Sequence, residues 1–596
     1  MENKTLMKCY FSLLISGDYS SLSDFKHLNN SNVDFFVNGN LYNYSEEILF
    51  NNYLNENLNA FKSIDGDFLI IIIENKKIHL IRDRHGAGSQ LFYSNNYCST
   101  NLLEFTDLKG FDCKPNYEAI FTFLSIGYVP SPLTSLEGIK KLNPGFVLTY
   151  ENSVISTQDL FGYDEYMKNV GTSTLSLEDA TMEYEQLHKK AIKDRISNKK
   201  KIGLLLSGGY DSGGNISALR DIYDGEIVSF SIGFKDNPWT ELPLAKVLAQ
   251  KYNSKHYEYE IDGSEIMNLP QIIGITGDPF QEAGLMVNFT AMQLVRNSGE
   301  NPQIILGGDG NDQHFGTFGK ELAIHWKMKN SGLQIFQKLY DIVGNNFQLF
   351  DKDNIFFRTE FHNRKILHIQ QSDVFGFSLI KLNKMNTLGY KLKQFTYLKN
   401  TPHKYENFDK YFFSRNFNID IKQIINEVIL FKSSRMSEAF GNKISFPYMS
   451  TDLYRFLNSM PLSHKLYGNT SELTKGKGVS KFLHKRYLQA KLPTEITNRK
   501  KQGGFAPLPI FLKDDKQRKI IFDILRKSDA IKNIFNTKDI ENLFQQYETI
   551  INSKSYWFWF QQVKANQIIN LLTLAVWWEM FINKRTGLKS VSELIE

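Results

Sequence analysis

"LLLSGGYDSGG", residues 204–214, runs an apolar stretch straight into Ser-Gly-Gly, an Asp, a Ser and two more glycines. Lys201–Leu206 reads as a buried strand, and "NISALRDIY" beyond it as a helix starting near Asn215. In an open parallel sheet, ligands sit beyond the carboxyl ends of the strands. Small residues there let successive backbone N–H groups form an anion-binding nest at a helix N-terminus. The glycines are expected to allow close approach and positive φ, and Ser207 and Ser212 to add hydroxyl donors. Neither G-x-x-x-x-G-K-[ST] nor G-x-G-x-x-G fits this loop. It carries a carboxylate, Asp211, and a carboxylate beside a polyphosphate calls for a bridging cation, most simply Mg²⁺.

A second cluster, "ILGGDGNDQHFG" (305–316), also follows an apolar strand and holds Asp309 and Asp312 among glycines. If the two strands are neighbours, Asp211 and Asp312 can share one ion. Around them, strands at 227–234 and 255–261 alternate with helices at 241–252 and 286–298, the pattern of a parallel sheet wrapped by helices. The rest, to about 583, reads as helical. The N-terminal ~160 residues differ. "VDFFVNG", "GDFLIIIIEN", "KIHLIRD" and "NPGFVLTYEN" are short β-rich runs bounded by Gly, Asn and Asp. A polar linker at 162–180 separates the two parts.

Composition narrows the class. The chain has 596 residues, too many for a single core, and 42% hydrophobic with 22% charged residues is the balance of a soluble globular protein. The net charge of +6 comes with no basic stripe, so no nucleic-acid partner is expected. Lys199–Lys201 reads as a solvated loop. Three cysteines, Cys9, Cys98 and Cys113, form no C-x-x-C pair and suit a reducing cytoplasm. The aromatic stretch 555–581 is interrupted by Gln, Lys, Asn and Glu and reads as a buried helix, with no membrane partner.

At this point the residues resemble the asparagine synthetase family. "LLLSGGYDS" is similar to its S-G-G-x-D-S pyrophosphate loop. Weaker matches follow in the family's order: "VNGNLYNY", "IDGDFLIIIIENKKIHLIRDRHGAGSQLFYS", "IGYVPSPLTSLEGIKKLNPGFVLTY", "RMSEAFGNKISFPYMSTDL" and "LPTEITNRKKQGGFAPL". The resemblance implies an α/β protein. Its N-terminal part would be a glutaminase-like αββα sandwich over 1–161. After the linker, an adenylating domain of the ATP-pyrophosphatase type would fill 181–583, with a parallel sheet and a helical C-terminal part. A tail would occupy 584–596. It implies ATP and Mg²⁺ as cofactors. Ser207, Gly208, Gly209, Asp211 and Ser212 would hold pyrophosphate, and Asp211 and Asp312 the metal. Leu206, Ile232, Gly307 and Gly308 would line the adenine and ribose site. Lys501 would join Asp211 in catalysis, neutralising charge at the α-phosphate and pyrophosphate.

The departures from the family pattern narrow the function. A working glutaminase of this family uses a Cys directly after Met1, and Glu2 stands there. Asn38 and Gly39 survive, but without a nucleophile they have no reaction to stabilise, so the N-terminal domain reads as a structural relic. Aligning the late signature S-L-E-x-R-x-P-F-L-D puts Lys443 at its Glu, Ser445 at its Arg and Ser450 at its Asp, and Gln313 replaces another Glu. A Lys is a poor base unless its pKa falls far below about 10.4. Lasso-peptide cyclases of this family combine a live adenylating loop with a lost glutaminase Cys. They imply a peptide substrate, a precursor peptide with its leader peptidase, and a macrolactam product. A small-molecule carboxylate substrate, an ammonia-using asparagine synthetase and a non-catalytic scaffold stand as alternatives.

With no nucleophile after Met1, glutamate release from glutamine is expected at the no-enzyme background, and Cys9→Ala should change no activity. Glutamate release that disappears in Cys9→Ala would make Cys9 a working nucleophile.

Overall fold

The computed structural model describes residues 7–162, 166, 168–238, 240–316, 319–330, 376–390, 406–498, 506–552 and 558–595. Glu2, the loop around Lys501 and the start of the 555–581 stretch lie outside them.

The N-terminal part is a sandwich of two antiparallel sheets. One has the order β1 (Lys8–Tyr10), β7 (Tyr97–Ser99), β6 (Phe92–Tyr93), β8 (Lys140–Lys141). The other runs β10 (Val154–Asp159), β9 (Phe146–Glu151), β5 (Lys77–Arg82), β4 (Gly66–Glu74), β3 (Val33–Leu41), β2 (Lys26–Asn29). The continuous apolar run of β4 follows from burial on both faces. Leu69, Ile71 and Ile73 point into the core between the sheets, while Phe68, Ile70 and Ile72 point the other way, onto a second core that includes Leu49 and Tyr53 of the helix Glu46–Glu56.

The second part holds a five-stranded parallel sheet, β13 (Lys255–Ile261), β12 (Glu226–Phe234), β11 (Lys201–Leu205), β14 (Ile304–Leu306), β15 (Ile444–Ser445). Ile202 and Leu204 of β11 face one core, under the helices Leu177–Ile196 and Tyr210–Ile222. Leu205 and Phe230 face the other, which includes the helix Phe558–Phe581 with Trp577 fully buried. Among the described residues no helix is long and apolar enough to cross a membrane.

The two parts meet on buried charge. Arg195, near the end of the helix Leu177–Ile196, grips Asp65 with both terminal nitrogens, at 3.0 and 3.1 Å. Its planar guanidinium lies 4.2 Å from the centre of the Tyr42 ring, whose hydroxyl donates to Asp67 Oδ2 at 2.6 Å. Lys141 pairs with Asp278 at 2.9 Å, both buried. Ser89 donates to Glu438, and Tyr166 to Asn416. A buried charge stripped of its partner costs several kcal/mol, so these pairs fix how the domains dock.

Burial raises the Asp67 carboxyl to about 7, with Arg195 opposing the rise. The folded state therefore binds more protons than the unfolded chain between about pH 4 and 7, and Asp67's contribution to stability falls as pH rises through that window. Asp67→Asn keeps the shape and an acceptor oxygen. Its melting temperature relative to wild type is expected to climb from pH 5 to pH 8. A difference that stays flat with pH would mean Asp67 is ionised throughout.

Candidate active site

β11 pairs directly with β14, Ile202 opposite Ile304 and Leu204 opposite Leu306. Both glycine clusters therefore leave the carboxyl end of the sheet side by side, as the shared-ion reading requires. The helix after β11 starts at Tyr210, five residues earlier than the sequence pattern indicates. Asp211 and Ser212 thus lie in its first turn, where the helix dipole favours negative charge.

The expected role of the glycines needs one correction. None of Gly208, Gly209, Gly213 and Gly214 has positive φ. Their requirement is space. A Cβ on Gly208 would come 2.5 Å from Leu244 Cβ, and one on Gly214 2.5 Å from the Tyr448 hydroxyl. A Cβ on Gly308 would sit 3.1 Å from the backbone nitrogen of Ser212, so the two clusters touch through that glycine. The loop also closes on its own hydroxyls. Ser207 N donates to Ser212 Oγ at 3.0 Å, Gly209 N to Ser207 Oγ at 3.2 Å, and Ser212 Oγ to Ser207 O at 3.0 Å. Leu206 and Ile232 stand at the same end of the sheet, joined through Ser231, whose hydroxyl donates to Leu206 O at 2.5 Å. Asn215 Nδ2 donates to Gly307 O at 2.9 Å and ties the helix to β14's end.

Asp211 and Asp312 converge on one cation, the ammonium of Lys481, at 2.5 and 2.7 Å. Asn311 Nδ2 donates to Asp211 Oδ1 at 2.6 Å, and His484 Nε2 lies 3.3 Å from the same oxygen. Burial alone would raise the Asp211 carboxyl, but Lys481 and His484 outweigh it and hold it well below the usual carboxylate range. The reverse holds at Lys481, where burial is outweighed by the two carboxylates and the ammonium is reinforced. Lys481 adopts the left-handed conformation, φ 56° and ψ 42°, a backbone that non-glycine residues rarely take. That strain turns the residue into the cleft as the N-cap of the helix Phe482–Leu488. Sequence spacing gave no sign of it, because Lys481 stands 270 residues from Asp211.

The carboxylates fit Mg²⁺. That ion takes one or two protein carboxylates and completes its shell with water and phosphate oxygens. Two carboxylates already converging on one positive charge supply that share. Among the described residues no group of three His, Cys, Asp or Glu converges to hold a metal alone, so the phosphates would have to finish the shell.

Lys443 is exposed. It precedes β15 at the entry end of the sheet, where its carbonyl accepts from Ile305 N at 2.7 Å, and its charge is felt by Lys199. It stands at the opposite end of the sheet from the two glycine clusters. Ser445, at the family's Arg position, accepts Arg195 Nε at 3.0 Å, so a guanidinium reaches this spot from another helix. A third carboxylate, Asp309, lies just past β14 and feels the charge of Asp211. It accepts from Ser433 Oγ at 3.0 Å and faces Lys432 and Glu282, and burial raises its pKa against the pull of Lys432.

Comparison with known proteins gives two family matches. Residues 183–579 match the asparagine synthase family, and residues 43–161 a glutamine amidotransferase domain. A putative glutamine-hydrolysing asparagine synthetase of Mycobacterium bovis is 23% identical over 238 residues, 39% of this chain and 35% of that protein. The chain thus spans about a third of the length of those mycobacterial relatives. Asparagine synthetase 1 of Bacillus subtilis is 22% identical over 519 residues, 80% of this chain and 76% of its own. Among solved structures, the NH3-dependent NAD synthetase from Campylobacter jejuni is 17% identical and covers 24% of this chain and 62% of its own, with a TM-score of 0.18, too low to carry weight.

Lys481→Met removes the ammonium that competes with a metal for the two carboxylates. In EDTA the variant is expected to melt below wild type, and excess Mg²⁺ to raise its melting temperature more than it raises the wild type's. An equal Mg²⁺ response in both proteins would remove the metal assignment.

Proposed function

The chain belongs to the asparagine synthase family, and from that premise we propose that it is an ATP- and Mg²⁺-dependent ligase that forms an amide through an acyl-adenylate. The observation that carries the reading is the convergence of Asp211 and Asp312 beside a serine-glycine loop at the end of adjacent parallel strands. A substrate carboxylate attacks the α-phosphorus of ATP and pyrophosphate leaves. An amine then attacks the acyl carbon and AMP leaves.

The chain's residues take separate roles. Ser207, Gly208, Gly209 and Ser212 hold the pyrophosphate, exchanging their internal hydrogen bonds for phosphate oxygens. Leu206, Ile232, Gly307 and Gly308 line the nucleoside. Asp211 and Asp312 hold Mg²⁺, which when bound screens the phosphate charge from the incoming carboxylate. Lys481, which lies between the two carboxylates, would neutralise phosphate charge, and Lys501 would supply a second cation during adenylation. Asp309, with its raised carboxyl pKa, accepts the proton that the attacking amine loses.

The substrate we favour is a ribosomal peptide whose N-terminal amine and Asp or Glu side chain are joined as a macrolactam, in the cytoplasm, after a leader peptidase has freed the amine. Ser445 and Ser450, at the family's Arg and Asp positions, support it, because they leave aspartate recognition without its usual charges. Holding both ends of one chain together also supplies rate through proximity. A second reading, an ammonia-using asparagine synthetase, is favoured by the similarity to asparagine synthetase 1 of Bacillus subtilis over 80% of this chain; Asp309 would serve as the base in either.

AMP release measured with a linear peptide bearing a free amine and an internal Asp, against aspartate with ammonium, separates the two. Asp211→Asn should keep the wild-type fold by circular dichroism and release no AMP in either assay. Wild-type turnover by that variant would sink the adenylating reading.

A further inference from the structure

Residues 445–451 touch both glycine clusters and are held at each end by the N-terminal domain. At one end, Ser445 Oγ donates to Asp67 Oδ2 at 3.0 Å and accepts from Arg195 Nε at 3.0 Å. At the other, Thr451 Oγ1 donates to the carbonyl of Ile64 at 2.8 Å, and Thr451 N to Asp65 Oδ1 at 3.4 Å. These four partners come from one strand entry, residues 64–67, and from the Arg195 that Asp65 grips.

Between the tethers the segment presses on the site. The Tyr448 hydroxyl donates to the carbonyl of Asp211 at 2.9 Å, and the Tyr448 carbonyl takes His314 Nε2 at 2.8 Å. Met449 fills the space where a side chain on Gly310 would be. A second rigid route runs along the helix Leu177–Ile196. Arg195 stands at its interdomain end, while His188 stacks on Tyr448 at 4.5 Å and bonds Asn215 at 2.9 Å, and Tyr184 bonds Asn311 at 3.0 Å. Every one of these side chains is buried, so a shift at residues 64–67 has no soft neighbour to absorb it.

We infer that Asp65 and Asp67 of the N-terminal domain are positioning residues for the phosphate loop, acting through Ser445, Thr451 and Arg195 on Tyr448, and that nucleotide binding and the interdomain seam are coupled. The inference rests on the adenylating reading above. It gives the N-terminal domain a task that needs no glutaminase nucleophile. Coupling of this kind is reciprocal: what the seam does for the nucleotide, the nucleotide does for the seam.

The test uses the full chain with Mg²⁺ and α,β-methylene-ATP. By calorimetry, Thr451→Val, which keeps the shape and loses the hydroxyl, should bind the nucleotide about tenfold more weakly, and Thr451→Ser should stay within about twofold of wild type. By hydrogen exchange on the wild type, the nucleotide should add protection to residues 64–70, which do not touch it. Wild-type affinity in Thr451→Val would overturn the inference. So would a wild type that binds the nucleotide with no change at 64–70, and that arm decides the matter should Thr451→Val fail to fold. A wild type that binds no Mg²⁺-nucleotide would instead sink the adenylating reading, and the coupling with it.

Discussion

Two carboxylates that face each other in a half-buried cleft need a cation between them. Asp211 and Asp312 meet that demand with Lys481, and much of the second domain is arranged around the result. β11 and β14 must be neighbours for the two acids to converge. The glycines at 208, 214 and 308 must lack side chains for the loops to close. Lys481 must take a left-handed backbone to turn inward. Around the cluster His484, Asn311, Tyr184 and Tyr448 form a buried polar shell, and a shell of that kind is stable only when its members are mutually satisfied.

The ammonium between the acids also explains why the loop serines bond to one another. Ser207 and Ser212 satisfy the loop's N–H groups themselves. A polyphosphate offers the same groups stronger, charged acceptors. On the proposed reading, a metal would offer the acids a doubly charged partner and leave the lysine free for the phosphates. The three exchanges oppose one another little, because each donor or acceptor leaves a neutral or singly charged partner for a more highly charged one.

The sheet and its loops were legible in the sequence because their signals are local. An apolar run ending in Ser-Gly-Gly, a second ending in Gly-Gly-Asp-Gly, and the alternation of strand and helix patterns each lie within a dozen residues. The start of the helix at Tyr210 was misread because glycines 213 and 214 look like loop, although they pack where any Cβ would strike Leu492 or Tyr448. Lys481 and Arg195 left no local trace. Their roles arise from tertiary approach, one from a strained backbone and one from a helix that crosses to another domain. The alignment put Lys443 at the site because spacing within a motif says nothing about which end of a strand it occupies. β15 is two residues long, so the motif straddles the sheet, with Lys443 at the entry end and Tyr448 at the ligand end.

The N-terminal domain is bound into the molecule by its packing. Arg195 and Asp278 belong to the second domain, and their partners Asp65 and Lys141 to the first. Removing the first domain would leave a guanidinium and a carboxylate stripped of their ion-pair partners on a surface shaped for contact, a loss that usually exceeds what such pairs contribute when intact. The first domain could not be removed without rebuilding the helix that carries Arg195, Tyr184 and His188. The buried seam therefore holds the first domain in place, and through Asp67 and Ile64 it also holds residues 445–451 against the Ser207–Ser212 loop.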